Sequence, residues 1–391
     1  MACSSSLLSS RMNNWNTSPE ASMHASKTAE NRPTIPCRPN SNGRSRLKLV
    51  LPTLLSWTPG CAVRWLVAMS FLTSGLSAMS LYWPTPNTAF IKGQPEETYL
   101  QPTASGRLES ALFGCTRNDG RRFHEGIDLK PLKRDRRGRA SDPIFAIAPG
   151  SVAHINRVGG NSSYGIYVVV AHQEDGLEFY SLYAHLSSVT PVLKSGEPVV
   201  AGQQIGVMGN TSASIRIPHS RAHLHLEIGL RLNRRFDSWY QRQDYTEPNR
   251  QGSWNGINLQ AIDPIVFYRR MITDPKASAV EVFLSESVAF RVAFHFVSPP
   301  DFLQRNPVFS PSRLSEIESG WYQIGFNAFG IPLEWHRIPD SSIPDSFEQG
   351  NVHLLEVVGQ PESCTSWVRS KNRTWLPSDS LKRQLEILSA H

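Results

Sequence analysis

Apolar and polar residues alternate in short runs through the middle of the chain. Six runs rich in β-branched and aromatic residues follow one another at close spacing. They are Ile144 to Ala148, Ser151 to Val158, Gly165 to His172, Glu178 to His185, Val199 to Met208 and Ala222 to Gly229. Turn material such as Pro149-Gly150 separates the runs. Short strands with turns between them predict an antiparallel, all-β domain and not βαβ units.

An uninterrupted apolar run precedes this region. No charged residue occurs in the nineteen positions from Trp65 to Trp83, a length that spans a bilayer as a helix. Lys and Arg on its N-terminal side favour an orientation that places residues after Pro84 outside the cytoplasm. The alternatives are a cleaved signal peptide, because Ala78-Met79-Ser80 resembles a cleavage site, and a buried core helix. We therefore expect an exported protein on the periplasmic or cell-envelope side, anchored to the inner membrane if the segment is not cleaved.

These patterns divide the chain into six regions and predict a mostly β fold. The regions are a disordered basic leader (1–64), a transmembrane anchor or signal peptide (65–83), a linker or surface-packed segment (84–105), the β domain (106–232), an aromatic-rich extension (233–268) and a mixed α/β C-terminal accessory region (269–391). The accessory region contains the strand-like runs Val280 to Leu284, Ala289 to Val297 and Val352 to Val358. We find no catalytic motif in it, and its function is left open.

The charge distribution argues against a nucleic-acid-binding protein. The 391-residue chain has 40 Lys and Arg against 33 Asp and Glu, a formal net charge of +7. Eight basic and two acidic residues lie within residues 1–64, so the leader carries most of this excess. The rest of the chain is close to neutral and has no base-reading motif, and we predict no nucleic-acid partner.

The five cysteines do not form a recognisable framework. They are scattered without a C-x-x-C spacing, which argues against a structural zinc ribbon or a disulfide scaffold. Only Cys115 and Cys364 lie beyond the leader. A bridge between them and two free thiols are both compatible with the sequence.

Histidine and aspartate residues on predicted strands form a candidate metal site. His124 and Asp128 are four residues apart, and Gly126 between them argues against a helix. On a strand, positions i and i+4 lie on the same face, and so do His223 and His225. Two facing strands would then present His, Asp and His to one ion. Two histidines and one carboxylate with an open fourth position form a catalytic zinc arrangement.

Four sequence elements together resemble the lysostaphin-type (M23, LytM-like) zinc metallopeptidases. They are His124-x-Gly126-x-Asp128, Tyr183-Ala184-His185-Leu186, the glycine-rich run 196–209 and His223-Leu224-His225. Their order and spacing match that family across roughly residues 106 to 232. The resemblance implies a small antiparallel β core of the LytM or duplicated-hybrid type that forms a groove. It also implies that the binding partner of the protein is its substrate, the peptide part of bacterial peptidoglycan.

The resemblance implies a role for each site residue. His124, Asp128 and His225 are expected to bind one Zn²⁺ per domain. His185 and His223 are expected to be the catalytic residues that do not bind the metal. Zinc lowers the pKa of a water molecule and polarises the scissile carbonyl, while two histidines beside it can transfer protons and stabilise the oxyanion.

Two segments depart from the family pattern. Residues 214–222 replace the usual Ser-Thr-Gly-x-x-Pro before His-x-His, so the groove wall is expected to differ there. The basic insertion 130–139 is either a solvated loop or a contact for anionic wall polymers or substrate carboxylates.

The sequence therefore predicts a zinc-dependent endopeptidase that hydrolyses peptide bonds in peptidoglycan stem peptides or cross-links. The main alternative is a non-catalytic regulator or scaffold of other cell-wall hydrolases, because some members of the family have lost ligands. All three expected ligands and both expected catalytic histidines are present, which favours the enzyme. A third alternative makes residues 269–391 a partner-binding module. The bond cleaved and the oligomeric state stay open.

Overall fold

The computed structural model describes residues 79–359 and 364–391 of the chain. The predicted leader (1–64) and residues 65–78 of the predicted membrane or signal segment lie outside the described residues. Within the described ranges, no helix combines the length and the apolar character needed to cross a membrane.

Antiparallel strands dominate the described residues, and this confirms the mostly β fold. The strands are β1 (Gly114–Arg117), β2 (Arg122–His124), β3 (Ile127–Leu129), β4 (Pro143–Phe145), β5 (Gly150–Asn156), β6 (Ile166–Glu174), β7 (Leu177–Val189), β8 (Pro198–Val199), β9 (Gln204–Met208), β10 (Leu224–Arg231), β11 (Leu259–Ile262), β12 (Val288–Phe296), β13 (Gly320–Asn327), β14 (Pro332–Arg337), β15 (His353–Val357), β16 (Val368–Lys371) and β17 (Thr374–Pro377). The α-helices are α1 (Phe236–Gln241), α2 (Pro264–Thr273), α3 (Ala279–Leu284), α4 (Asp301–Arg305) and α5 (Asp379–Leu388).

A nine-stranded sheet, here the main sheet, carries the candidate site. Its central path is β11-β10-β7-β6-β5-β8, with β3 beside β10 and with β9 pairing both β4 and β7. The turn between β6 and β7 consists of Asp175 and Gly176, and both have positive φ. A two-residue turn of this kind matches the twist of an antiparallel hairpin. The hairpin fixes the register of β7, the long strand that contains His185.

Strand β10 is buried on both faces, and the two faces differ in chemistry. Leu224, Leu226 and Ile228 belong to the hydrophobic core. His225 and Glu227 alternate with them and are also buried. Because side chains on a strand point alternately to opposite faces, one face of β10 anchors the strand and the other presents polar groups.

Residues 84–105 pack against the domain, the second of the two alternatives that the sequence left for this segment. Tyr99 and Leu100 are buried. The backbone of Gln101 donates a hydrogen bond to the carbonyl of Asp128 (2.8 Å), and Lys130 donates to the carbonyl of Tyr99 (2.8 Å). The segment therefore supports β3, the strand that carries Asp128.

The C-terminal region forms a second, four-stranded sheet, here the accessory sheet, in the order β14-β13-β12-β15. Two of the strand-like runs predicted there correspond to β12 and β15. The prediction for Val280 to Leu284 is wrong, because these residues lie in α3. Ser278 accepts from the backbone of Glu281, and the Glu281 side chain accepts from the backbone of Ser278. Such a capping box starts a helix, which outweighs the β-branched residues that follow.

The accessory region is bonded to the main sheet and to segments beside it. Cys115 in β1 forms a disulfide with Cys364, which answers the question that the sequence left open. The Arg305 guanidinium donates to Glu178 Oε1 of β7 at 2.8 Å. The Asn233 side chain, just after β10, donates to carbonyl groups at and beyond the end of α5, including that of Ala390 at 2.9 Å.

Candidate metal centre

The three expected metal ligands converge where β2, β3 and β10 meet. Asp128 lies directly opposite His225 in the β3–β10 pair, and His124 ends β2. The atoms His124 Nε2, Asp128 Oδ1 and His225 Nδ1 form a triangle with sides of 3.1 to 3.2 Å. A tetrahedral zinc ion with bonds of about 2.0 to 2.1 Å separates its ligand atoms by about 3.3 Å. The triangle therefore has the size that such an ion requires.

Hydrogen bonds on the far side of each imidazole determine which nitrogen faces the triangle. His124 Nδ1 donates to the Leu112 carbonyl at 2.7 Å, and His225 Nε2 donates to Glu227 Oε1 at 2.9 Å. Whenever such a ring is neutral, its opposite nitrogen carries a lone pair. Two lone pairs and a carboxylate oxygen face one another, an arrangement that a cation satisfies. This donor set fits a divalent metal with a preference for nitrogen and oxygen ligands.

Arg117 on β1 also reaches this cluster. Its Nη2 donates to Asp128 Oδ2 at 2.5 Å and lies 2.7 Å from His124 Nε2. The guanidinium therefore holds the second oxygen of Asp128 and leaves Oδ1 for the triangle. Its Nε is buried without a hydrogen-bond partner.

The two expected catalytic histidines lie beside the triangle. Their ring centroids are 4.9 Å apart, and His223 Nε2 is 3.6 Å from Asp128 Oδ1. His185 Nδ1 donates to the Thr211 carbonyl at 2.8 Å, and His223 Nδ1 donates to the Arg221 carbonyl at 2.7 Å. Since each ring holds its proton on Nδ1, Nε2 is the nitrogen that can accept another.

Burial keeps three of the four histidines neutral near pH 7. It lowers the pKa of His124 to about 4. It also holds the pKa of His185 well below its ordinary value, with the neighbouring His223 acting in the same direction. Burial lowers the pKa of His223 as well, although Asp128 opposes this effect. A neutral imidazole can act as a ligand or as a base.

Asp128 and His225 are shifted toward their charged forms. Burial would raise the pKa of Asp128, but the neighbouring histidines and Arg117 outweigh it and hold the pKa well below its ordinary value. Burial would lower the pKa of His225, but its hydrogen bonds to Asp128 and Glu227 raise the pKa to about 9. A proton on His225 therefore competes with a metal ion for Nδ1.

The backbone conformation at the site explains why the sequence motifs contain Gly126 and places His185 in an uncommon conformation. A Cβ on Gly126 would lie 2.2 Å from the Leu226 carbonyl oxygen, so only glycine lets the chain between the two β2–β3 ligands approach β10. His185 has a φ of 60°, a left-handed conformation that costs a non-glycine residue about 1 to 3 kcal/mol. Such strain persists where the surrounding structure holds the residue in place.

A groove of about 620 Å³ is lined mainly by residues 210–219. It contains Thr211, whose carbonyl holds His185, and much of the segment 214–222 that departs from the family pattern. The basic insertion 130–139 borders the same wall, because Arg134 donates to two carbonyl groups of the turn His219–Arg221. Both departures noted in the sequence therefore affect one groove.

The structure brings together all five predicted site residues, and the side chains or backbone of further residues hold them. Among these, Arg117, Thr211 and Glu227 contact site residues directly, and Tyr180 contacts Glu227. The period-two pattern that places two histidines on one face of β10 continues to Glu227, so the sequence could have indicated this residue. The other three meet the site through contacts between distant segments, for which the sequence has no local signal.

Comparisons with known proteins point to one family. Residues 122–237 match the sequence profile of Peptidase family M23. Lipoprotein NlpD of Yersinia enterocolitica is 36% identical over 92 residues, which cover 23% of this chain and 80% of that protein. The uncharacterized lipoprotein YgeR of Escherichia coli (strain K12) is 30% identical over 139 residues, which cover 34% of this chain and 47% of that protein.

Solved structures to which this chain is similar include the catalytic domain of the antimicrobial peptidase lysostaphin from Staphylococcus simulans. It is 23% identical, with a TM-score of 0.25, and the match covers 41% of this chain and 87% of the lysostaphin domain.

Proposed function

This chain belongs to peptidase family M23, and on that premise we propose that it is a zinc-dependent endopeptidase of peptidoglycan. Its reaction is the hydrolysis of peptide bonds in stem peptides or cross-links. The observation that carries the proposal is the triangle of His124 Nε2, Asp128 Oδ1 and His225 Nδ1, with sides of 3.1 to 3.2 Å. His185 and His223 lie beside it, in the position that acid–base groups need.

Zinc, when bound, polarises the scissile carbonyl and makes a water molecule more acidic. His223, with its Nε2 near Asp128, accepts the proton of the attacking water. His185 Nε2 can take this proton over from His223, and the ring that carries it hydrogen-bonds the developing oxyanion and then protonates the leaving amine. The carbonyls of Thr211 and Arg221 stabilise each ring in its protonated form, because they accept the hydrogen bond from Nδ1–H.

The groove lined by residues 210–219 is the proposed peptide-binding site. An extended peptide fits a groove of about 620 Å³, and the basic loop 130–139 on its wall can attract peptide carboxylates.

The two lipoprotein relatives support a location at the cell envelope. We place the protein on the periplasmic or cell-envelope side, with residues 65–83 as its membrane contact if they are not cleaved. A reporter enzyme that works only outside the cytoplasm should then be active when it is fused after Pro84. A reporter that works only in the cytoplasm should be inactive at the same position.

A non-catalytic regulator of other wall hydrolases is the second candidate. The contact of Arg117 with both Asp128 and His124 favours it, because a guanidinium can neutralise the cluster without an ion. This candidate predicts that the chain binds zinc weakly and releases no fragments from any wall.

The deciding experiment incubates the purified full chain with zinc and several peptidoglycan types and identifies the released muropeptides by mass spectrometry. We expect peptide fragments with intact sugars, and their release should stop in the presence of a chelator. The His223→Ala variant is the control for contaminating hydrolases. If the zinc-bound protein releases nothing from any wall type, the enzyme proposal is wrong.

A further inference from the structure

We infer that Glu227 is a positioning residue of the metal centre, which fixes the ring of His225 so that Nδ1 faces the metal. Tyr180 in turn holds Glu227. The inference rests on the proposed function, because it assigns a role within the same site.

The contacts of Glu227 account for both of its carboxylate oxygens. It follows His225 by two residues on β10 and is 1% exposed. Oε1 accepts from His225 Nε2 at 2.9 Å, and Oε2 accepts from the Tyr180 hydroxyl at 3.0 Å. Tyr180 lies on β7, the strand paired with β10. The carboxylate is thus held from two strands.

His225 differs from the other three histidines of the site in two respects. The others hold their Nδ1 proton against a backbone carbonyl and present Nε2. His225 holds its Nε2 proton against a carboxylate and presents Nδ1. A charged acceptor polarises the ring more strongly than a carbonyl does and raises the basicity of the ligating nitrogen. Glu227 therefore sets both the orientation and the donor strength of this ligand.

The burial of Glu227 supports a role in function. A buried carboxylate is unfavourable unless a charge and hydrogen bonds compensate for it. The partners of Glu227 in the described structure include the imidazole of His225 and the side chains of Tyr180 and Tyr164. An apolar residue at this position would avoid the desolvation cost, but it would leave the His225 ring free to rotate about its χ2 bond.

The test measures the zinc affinity of the full chain by competition with a fluorescent zinc chelator. The variants are Glu227→Ala, Glu227→Gln and Tyr180→Phe. Loss of an outer hydrogen-bond partner weakens metal binding by roughly 10- to 100-fold, and we expect this loss for Glu227→Ala. Glu227→Gln keeps a hydrogen-bond acceptor and should lose less zinc affinity than Glu227→Ala. Tyr180→Phe should lose the least zinc affinity of the three. Glu286→Gln removes the charge of another partly buried carboxylate, one bonded to Asn327 near the accessory sheet, and should bind zinc like the wild type.

Cobalt substitution supplies a readout that a merely structural role would not change. The visible absorption bands of Co²⁺ depend on its ligand geometry. They should shift in Glu227→Ala and return toward the wild-type bands in Glu227→Gln. A lower melting temperature of the metal-free variants with unchanged zinc affinity and unchanged cobalt bands would overturn the inference.

The outcomes separate this inference from the proposed function. If the wild type binds zinc and cleaves peptidoglycan while the Glu227 variants bind zinc equally well, only the inference is wrong. If the wild type binds no zinc, both are wrong. Should Glu227→Ala fail to fold, Glu227→Gln and Tyr180→Phe decide the question by the same affinities and spectra.

Discussion

The main sheet and the accessory sheet bury different kinds of side chain. The main sheet buries titratable groups, among them Asp128, His225 and Glu227. The accessory sheet buries aromatic rings, such as Phe290 and Phe326, which are stacked with centroids 5.3 Å apart. Because burying charge is costly and burying aromatic rings is favourable, the polar groups of the first sheet lower stability in exchange for chemistry, whereas the rings of the second raise stability.

The accessory region nevertheless reaches the site. Its disulfide holds Cys115 in β1. The Phe329 ring packs against Phe113 and Phe123, with centroid distances of 5.0 and 5.5 Å. Strands β1 and β2 carry Arg117 and end at His124. The accessory region thus supports the hairpin that carries part of the polar cluster, although none of its described residues belongs to that cluster.

The largest effect is expected from His225→Ala. This substitution removes one of three ligands, so bound zinc should fall to near zero and peptide release should stop. Elemental analysis of the purified protein measures the metal content. His295→Ala, on β12 of the accessory sheet, is the matched control and should leave metal content unchanged. Stoichiometric zinc in His225→Ala would remove this residue from the site.

His223→Ala should separate catalysis from metal binding. The ring lies outside the triangle, so zinc should stay bound at the wild-type level. Loss of a positioned acid–base group lowers the rate by about 10²- to 10⁴-fold, measured as the initial rate of muropeptide release. An active His223→Ala enzyme would contradict its catalytic role. Metal loss in this variant would instead make it a ligand.

Local sequence patterns predicted that the main-sheet strands exist, but they predicted the first and last residues of these strands less well. The run Val199 to Met208 is divided into β8 and β9, because Gly202 has a φ of 79° and turns the chain between them. The i, i+4 and period-two spacings indicated His124, Asp128, His223 and His225, and the resemblance to the family added His185. They could not show Arg117 or the disulfide, since these depend on which distant segments meet. A capping box two residues before Val280 was also present in the sequence, and it predicts α3 better than the apolar run does.

Removal of the Cys115–Cys364 disulfide should lower stability. The bridge closes a loop with a sequence separation of 249 residues, and bridges of this kind contribute on the order of 2 to 5 kcal/mol. We expect the double variant Cys115→Ala, Cys364→Ala to unfold at lower denaturant concentration by this amount. The reduced wild type should behave like the double variant. Equal unfolding free energies with and without the bridge would show that the accessory region supports β1 through packing alone.

The smallest effect concerns His172, a buried histidine of the main sheet outside the metal cluster. It lies between the Pro149 carbonyl and the Ser181 hydroxyl, both at 2.8 Å. Burial lowers its pKa from 6.5 to about 4. Above pH 6.5 neither the folded nor the unfolded state is protonated there, so its contribution to stability is fully present. As the pH falls from 6.5 toward 4, His172 binds a proton in the unfolded state but not in the folded state. The contribution of His172 to the unfolding free energy is therefore lost over this range.

One such group adds a slope of up to about 1.4 kcal/mol per pH unit to the unfolding free energy. His172→Gln should therefore flatten the acid side of the stability curve, measured by denaturant unfolding at several pH values between 4 and 7. The same change at His336, an exposed residue of the accessory sheet, should leave the slope as it is. An unchanged slope in His172→Gln would mean that other titrating groups, such as the metal-site histidines, which are also buried with lowered pKa values, produce the acid sensitivity.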